Sequence, residues 1–345
     1  MSLASITIDK LTVNLKSPFY WSGGICKDRI FYKVSMSFSD GENLSTVFCD
    51  YLRLDFAKNI LNKLCSNVDL CLNILHNEKS KYANNTEFGF NISIIGALNY
   101  LLQKRLISFR TNKKTANKLR LPRYASSVYY SDKNAYRYLL SCLRVAHGNA
   151  LQFIKVKVGL LSVPEERERL IEIRKKLKPH VKIAVDANCS YSLDQAVRFC
   201  RVNEDLDIAW IEEPFVSCTI DNCKEFKNNS SIPLAFGENW HNKECALPFI
   251  NNSLVDIIQP NIFRIGSVSD FVDVVEAALS NSICVYPHGW GGQGISEAVE
   301  FVINHFMELN YEARLLCLEY DVTSDNIFRS KNNLTITKSI VSVTF

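Results

Sequence analysis

Apolar and polar residues alternate over 5–15 (SITIDKLTVNL) and again over 30–38 (IFYKVSMSF), the two-residue period of strands with one buried face. Gly23 and Gly24 lie between the two runs and predict a turn that brings them together antiparallel. The period then changes to that of amphipathic helices over about 54–76 and 91–105. Together these elements predict an α+β unit of roughly 110 residues.

Beyond Pro122 short apolar runs alternate with amphipathic helices. The runs are YASSVY, FIKVKVG, KIAVDAN, IAWIEEP, PLAFGEN, VDIIQPN, ICVYPHG and LLCLEYD. Ser162 with Glu165, and Ser192 with Gln195, have the spacing of capping boxes and mark two helix starts. Eight strands separated by single helices predict a TIM-type barrel, a fold whose chemistry sits at the C-terminal ends of the strands.

Composition supports a large core and narrows the partners. The chain has 345 residues, 47% of them hydrophobic, enough for one large domain and a smaller one. Its net charge of +4 comes from 40 basic and 36 acidic residues, a balance that argues against a nucleic-acid or membrane-surface binder. The densest basic stretch, Lys113 to Arg123, reads either as a solvated connector or as an attractor of anionic substrate. The 12 cysteines are scattered and include no CxxC pair, which predicts a reduced, cytoplasmic protein. No apolar run reaches the roughly 20 residues that span a bilayer, and MSLASITIDK lacks the pattern of a signal peptide.

The run FIKVKVG places Lys155 and Lys157 two apart, hence on one face of a strand that otherwise looks buried. Reading the other strand ends in order adds Asp186 and Asn188, Glu212, Glu238, Asn261, His288 and Glu319. Asp186, Glu212 and Glu238 are the informative set. Carboxylates that converge on one small volume repel one another and rise in pKa unless a cation lies between them. An all-oxygen donor set with open positions favours Mg²⁺. Glu213, next to Glu212, is expected to face the other way.

The motifs KVKVG, VDAN, WIEEP, GENW and PHGW, with 26 residues between Asp186 and Glu212 and 26 more to Glu238, resemble the mandelate racemase subgroup of the enolase superfamily. The helix ISIIGALNYLLQKR is similar to the one that ends that family's N-terminal domain. The resemblance implies an N-terminal α+β capping domain over 1–112, a (β/α)7β barrel over 113–320 and a C-terminal segment over 321–345 that returns to the capping domain. It also implies a homo-oligomer.

For the chemistry, the resemblance implies a small-molecule carboxylate substrate bound to Mg²⁺, loss of its α-proton and an enediolate stabilised by the metal. Lys157 would be the base. Lys155 would depress its pKa and touch the substrate carboxylate. His288 would stand on the opposite face as second base or acid, and Glu319 would stay protonated to donate to that carboxylate. Asn188 would add a polar contact. Asn261 departs from the pattern, which has an aspartate there. An amide orients an imidazole but supplies no charge to stabilise imidazolium. The loops Pro18–Cys26 and Cys49–Asp55 would fold over the mouth, with Tyr20 and Trp21 serving as lid or as packing.

PHGWGG and the tail LEYDVTSDNIFR are also similar to acid-sugar dehydratases and galactarolactone cycloisomerases. The expected reaction is therefore dehydration of an acid sugar, with lactone cycloisomerisation or racemisation and epimerisation as the alternative. A catalytically silent binding barrel is the reading from a different class. GWGGQG over 289–294 fits G-x-G-x-x-G, yet it follows a barrel strand rather than opening a dinucleotide-binding unit.

Overall fold

The computed structural model describes residues 2–21, 24–50, 52–82, 92–110, 121–126, 152–216, 218–290, 292–307, 315–321, 334–335 and 341–345. Of these, 14–21, 25–26, 109–110, 293, 320–321 and 334–335 are described by their backbone only.

Strands β1 (Leu3–Trp21) and β2 (Gly24–Phe38) pair antiparallel, with Trp21 opposite Gly24, and alternation buries Ile6, Ile8, Val34 and Met36. A further strand, β3 (Asn43–Cys49), continues the sheet on β2. The single helix expected over 54–76 is two, α1 (Leu54–Leu61) and α2 (Val68–Tyr82). The break has a local cause: Ser66 O accepts from Leu3 N–H at 2.7 Å, and Asn67 Oδ1 takes Leu70 N–H at 2.9 Å to start a new helix. Helix α3 (Ile92–Arg110) completes this unit.

The second sheet is wholly parallel. Its strands are β4 (Arg123–Ser126), β5 (Phe153–Lys157), β6 (Lys182–Asp186), β7 (Ile208–Glu212), β8 (Leu234–Phe236), β9 (Ile257–Ile258), β10 (Cys284–Val285) and β11 (Leu318–Asp321). Each from β4 to β10 lies beside its successor, and β11 lies beside β4. A parallel bridge between Val285 and Leu316 joins the two free edges, with Cys317 N–H on Val285 O at 3.2 Å. Closure removes the edge strands and makes a barrel. Helices α4 (Val163–Lys176), α5 (Leu193–Val202), α6 (Ile220–Asn229), α7 (Lys243–Asn251), α8 (Val268–Ser280) and α9 (Gln293–Phe306) make the return crossings. Both capping boxes form: Ser162 N–H donates to Glu165 Oε2 at 3.0 Å, and Ser192 N–H to Gln195 Oε1 at 2.8 Å.

After the barrel the chain comes back to the first sheet, where β12 (Leu334–Thr335) and β13 (Val341–Thr344) pair antiparallel with β1. Phe48 meets Phe263 edge-on at 5.4 Å, and buried Lys79 on α2 pairs with Asp270 on α8, so the two units share one core. Gly294 of the GWGGQG stretch serves this packing, since a Cβ there would stand 2.2 Å from Val47 O on β3. Inside the barrel, Tyr124, Trp210 and Tyr286 stack edge to face with Ala184 and Ala235 between them and form a solid floor. Burying each such ring contributes roughly 1.5–3 kcal/mol. Among the described residues no helix is long and apolar enough to cross a membrane.

Candidate active site

The strand register assembles the site. Lys157 on β5 lies opposite Asp186 on β6, and Asp186 lies opposite Glu212 on β7, so three chemically active side chains share one layer at the C-terminal rim. One layer below, Lys155 is the register partner of Ala184 and its side chain is buried. Glu238 follows β8, Asn261 follows β9, His288 follows β10, and Glu319 lies on β11.

The two lysines are held by carboxylates. Lys155 Nζ lies 2.7 Å and 2.9 Å from the two oxygens of Glu212 and 2.8 Å from Glu319 Oε1. Lys157 Nζ lies 2.5 Å from Asp186 Oδ2. Burial pulls down the Lys157 ammonium and Lys155 adds to that pull, but Asp186 with Glu212 and Glu238 outweighs both, so its pKa stands above the ordinary lysine value. Lys155 thus acts on Lys157 in the expected direction, toward the free amine, and the neighbouring carboxylates outweigh it. Lys155 itself stands well above the ordinary value, because Glu212 and Glu319 overcome its burial. Burial and then the charge of Asp186 push Glu212 up to about 8.

Glu319 also differs from expectation. Burial raises its pKa, but Lys155, His288 and a backbone N–H outweigh burial and hold the carboxyl far below the usual carboxylate range. Its Oε2 accepts from Gly289 N–H at 2.8 Å and Trp290 N–H at 3.2 Å while Oε1 faces the Lys155 ammonium at 2.8 Å, contacts that favour the carboxylate over the protonated donor. Position 289 must be glycine for this approach, since a Cβ there would lie 2.6 Å from Glu319 O.

His288 is buried, with Nε2 at 3.3 Å from Glu238 Oε2 and Nδ1 at 3.1 Å from Asn261 Nδ2. Burial lowers its pKa below the ordinary histidine value against the pull of Glu238 and Glu319.

Other contributors were not singled out from sequence. Gln259 donates through Nε2 to Glu212 Oε2 at 2.5 Å, and it was findable, because it stands two residues before Asn261 at the end of the same strand. Arg264 reaches Glu238 Oε1 at 3.5 Å, Asn239 Oδ1 at 2.7 Å and, just beyond β3, Asp50 Oδ2 at 3.5 Å. Glu213 does not turn away from the mouth. The strand ends at Glu212 and Glu213 adopts φ 39°, which breaks the alternation. Its carboxyl accepts from Asn239 Nδ2 at 2.9 Å, and burial together with Glu238 and Asp186 drives its pKa well above the usual range.

Asn188 adopts φ 43°, with its N–H on Asp186 Oδ1 at 3.0 Å. The side chains of Tyr20 and Trp21 lie outside the described residues.

Among the described residues no three acidic, histidine or cysteine side chains are already gathered as a metal cage. The donor chemistry nevertheless fits a hard cation. Asp186, Glu212, Glu213 and Glu319 are buried beside Lys155 with Glu238 at their rim, and the raised pKa values of Glu212 and Glu213 are the response of crowded carboxylates, a crowding that a divalent cation would relieve. Two buried oxygens at the rim, Asn188 Oδ1 and Gln259 Oε1, accept no hydrogen bond from the described residues. Orphaned acceptors of this kind suit a cation or a polar ligand.

The chain aligns with D-galactarolactone cycloisomerase of Agrobacterium fabrum at 28% identity over 149 residues, 43% of this chain and 39% of that protein. It aligns with arabinonate dehydratase of Saccharolobus solfataricus at 29% identity over 180 residues, 52% of this chain and 48% of that protein. The matched region thus spans less than half the length of these relatives. A racemase from Streptomyces coelicolor, crystallised with bound magnesium, shares the fold with a TM-score of 0.75 at 19% identity, covering 92% of this chain and 89% of that one. The profile of enolase C-terminal domain-like proteins matches residues 140–329, more than half of the chain and all of the strand ends from β5 to β11, and the chain belongs to that family.

Proposed function

We propose that the barrel mouth binds Mg²⁺ through Asp186, Glu212 and Glu238, and that Lys157 removes the α-proton of a carboxylate substrate on the way to dehydration of an acid sugar. The observation that carries this reading is the single layer of Lys157, Asp186 and Glu212, in which a base candidate and an excess of buried carboxylates share one register. When bound, the cation would supply electrostatic stabilisation for charge that develops on the substrate carboxylate.

The chain's own residues set the rest. Asp186 is the strongest of the carboxylates that keep the proton on Lys157; neutralising it removes that attraction and shifts the balance toward burial and Lys155, both of which favour the free amine, against the weaker pull of Glu212 and Glu238. Lys155, fixed between Glu212 and Glu319, provides permanent positive charge beneath the substrate. His288 approaches from the far side of the barrel, where it can hydrogen-bond a substrate oxygen. Arg264 ties Glu238 to Asp50, which follows β3, and so couples the mouth to the N-terminal unit.

Relatives that include a dehydratase and a cycloisomerase support an acid-sugar substrate and leave lactone cycloisomerisation as the alternative outcome. Racemisation or epimerisation is less favoured, because Asn261 gives His288 no carboxylate partner. One observation favours a silent binding barrel: Lys155 and Lys157 already pair with Glu212 and Asp186. Screening acid sugars for turnover with Mg²⁺ and after chelation separates these readings. Turnover that requires Mg²⁺ is expected, whereas acid sugars that bind in Mg²⁺ without any turnover would leave the silent barrel.

A further inference from the structure

Asn261 and His288 are both buried, and the hydrogen bonds around them fix which atoms face each other. Asn261 Oδ1 accepts from Phe263 N–H at 3.0 Å and from Arg264 N–H at 3.3 Å, in the turn that follows β9. The amide oxygen is therefore occupied, and the amide nitrogen is the atom that lies 3.1 Å from His288 Nδ1. Flipping the amide would set its NH₂ against two backbone donors and lose both bonds. An amide NH₂ only donates, so Nδ1 can serve here only as an acceptor.

We propose that Asn261 is a positioning residue that locks His288 as the Nε2–H tautomer, so that the imidazole offers the substrate a hydrogen-bond donor and presents no lone pair at Nε2. The locked ring has no lone pair on its substrate side, where Nε2 also faces Glu238 Oε2 at 3.3 Å. An aspartate at 261 would keep one oxygen for the backbone donors and turn the other to Nδ1–H, which reverses the tautomer and frees the Nε2 lone pair. A single amide nitrogen thus changes the histidine from a proton acceptor into a fixed electrophilic donor, and leaves Lys157 as the proton carrier. This inference rests on the reading of the mouth as a proton-abstraction site, but its test does not.

The test is the long-range ¹H–¹⁵N correlation spectrum of ¹⁵N-histidine-labelled protein, recorded metal-free and with Mg²⁺, with the His288 signals identified by their loss in His288→Gln. An unprotonated Nδ1 and a protonated Nε2 are expected in both states, and Asn261→Asp should move the proton to Nδ1. A protonated Nδ1 in the native protein, or a pattern unchanged by Asn261→Asp, would overturn the proposal. Should that variant fail to fold, the native spectrum decides alone. No substrate is present, so a failed search for acid-sugar turnover leaves the tautomer standing, and a different tautomer leaves the role of Lys157 standing.

Discussion

Lys157 and Asp186 are register partners on adjacent barrel strands, and their side chains meet at 2.5 Å. An ammonium group therefore occupies the carboxylate through which we propose that Mg²⁺ binds, and the two positive charges would compete for it. A hydrogen bond between charged groups contributes about 1.5–3 kcal/mol, so Lys157→Ala is expected to tighten Mg²⁺ binding by about ten- to a hundredfold while abolishing turnover. Calorimetric titration of the metal-free variant reads the first effect. Weaker binding in the variant would mean that the lysine helps to hold the cation and does not compete with it.

The contact between Lys79 and Asp270 predicts a stability effect far from the mouth. Both side chains are buried, and the pair fastens α2 to α8 with Ser267 Oγ at 3.4 Å from the ammonium. Lys79→Met leaves a buried carboxylate without its counter-charge, and a loss of about 3 kcal/mol is expected in urea denaturation. Adding Asp270→Leu should recover most of it. A double variant no more stable than the single one would show that the ion pair does not set the cost.

Much of this architecture was legible because the local signals agree. The period of two in SITIDKLTVNL, the capping boxes at Ser162 and Ser192 and the even recurrence of acidic strand ends all point to the elements that form. The break after α1 was hidden because it depends on Asn67 capping a new helix while Ser66 joins the edge of β1. Charge states were the least legible. Lys157 is held as an ammonium and Glu319 as a carboxylate by partners on other strands, and a linear pattern does not say which charges meet across a barrel. Glu213 escaped for a different reason: alternation ends where the backbone enters the left-handed region.

The two backbone donors on Glu319 make a further prediction. Gly289 and Trp290 both direct N–H groups at Oε2, which anchors the loop carrying His288. In Glu319→Gln one oxygen can still accept, but the NH₂ then faces the Lys155 ammonium, donor against donor. A loss of about 2 kcal/mol in chemical denaturation is expected, with a displaced His288 resonance in the labelled protein. A variant with native stability and an unmoved His288 signal would remove Glu319 from the support of that loop.

Proton exchange at the substrate α-carbon tests the central claim most directly. Incubating a panel of acid sugars with the protein in D₂O and following the α-proton by ¹H NMR should reveal loss of that proton, as exchange or as product, only when Mg²⁺ is present. The reaction should vanish in Lys157→Ala and survive in part in His288→Asn. Loss of the α-proton in the chelated protein, or its persistence in Lys157→Ala with loss in His288→Asn, would contradict Mg²⁺-assisted proton abstraction by Lys157.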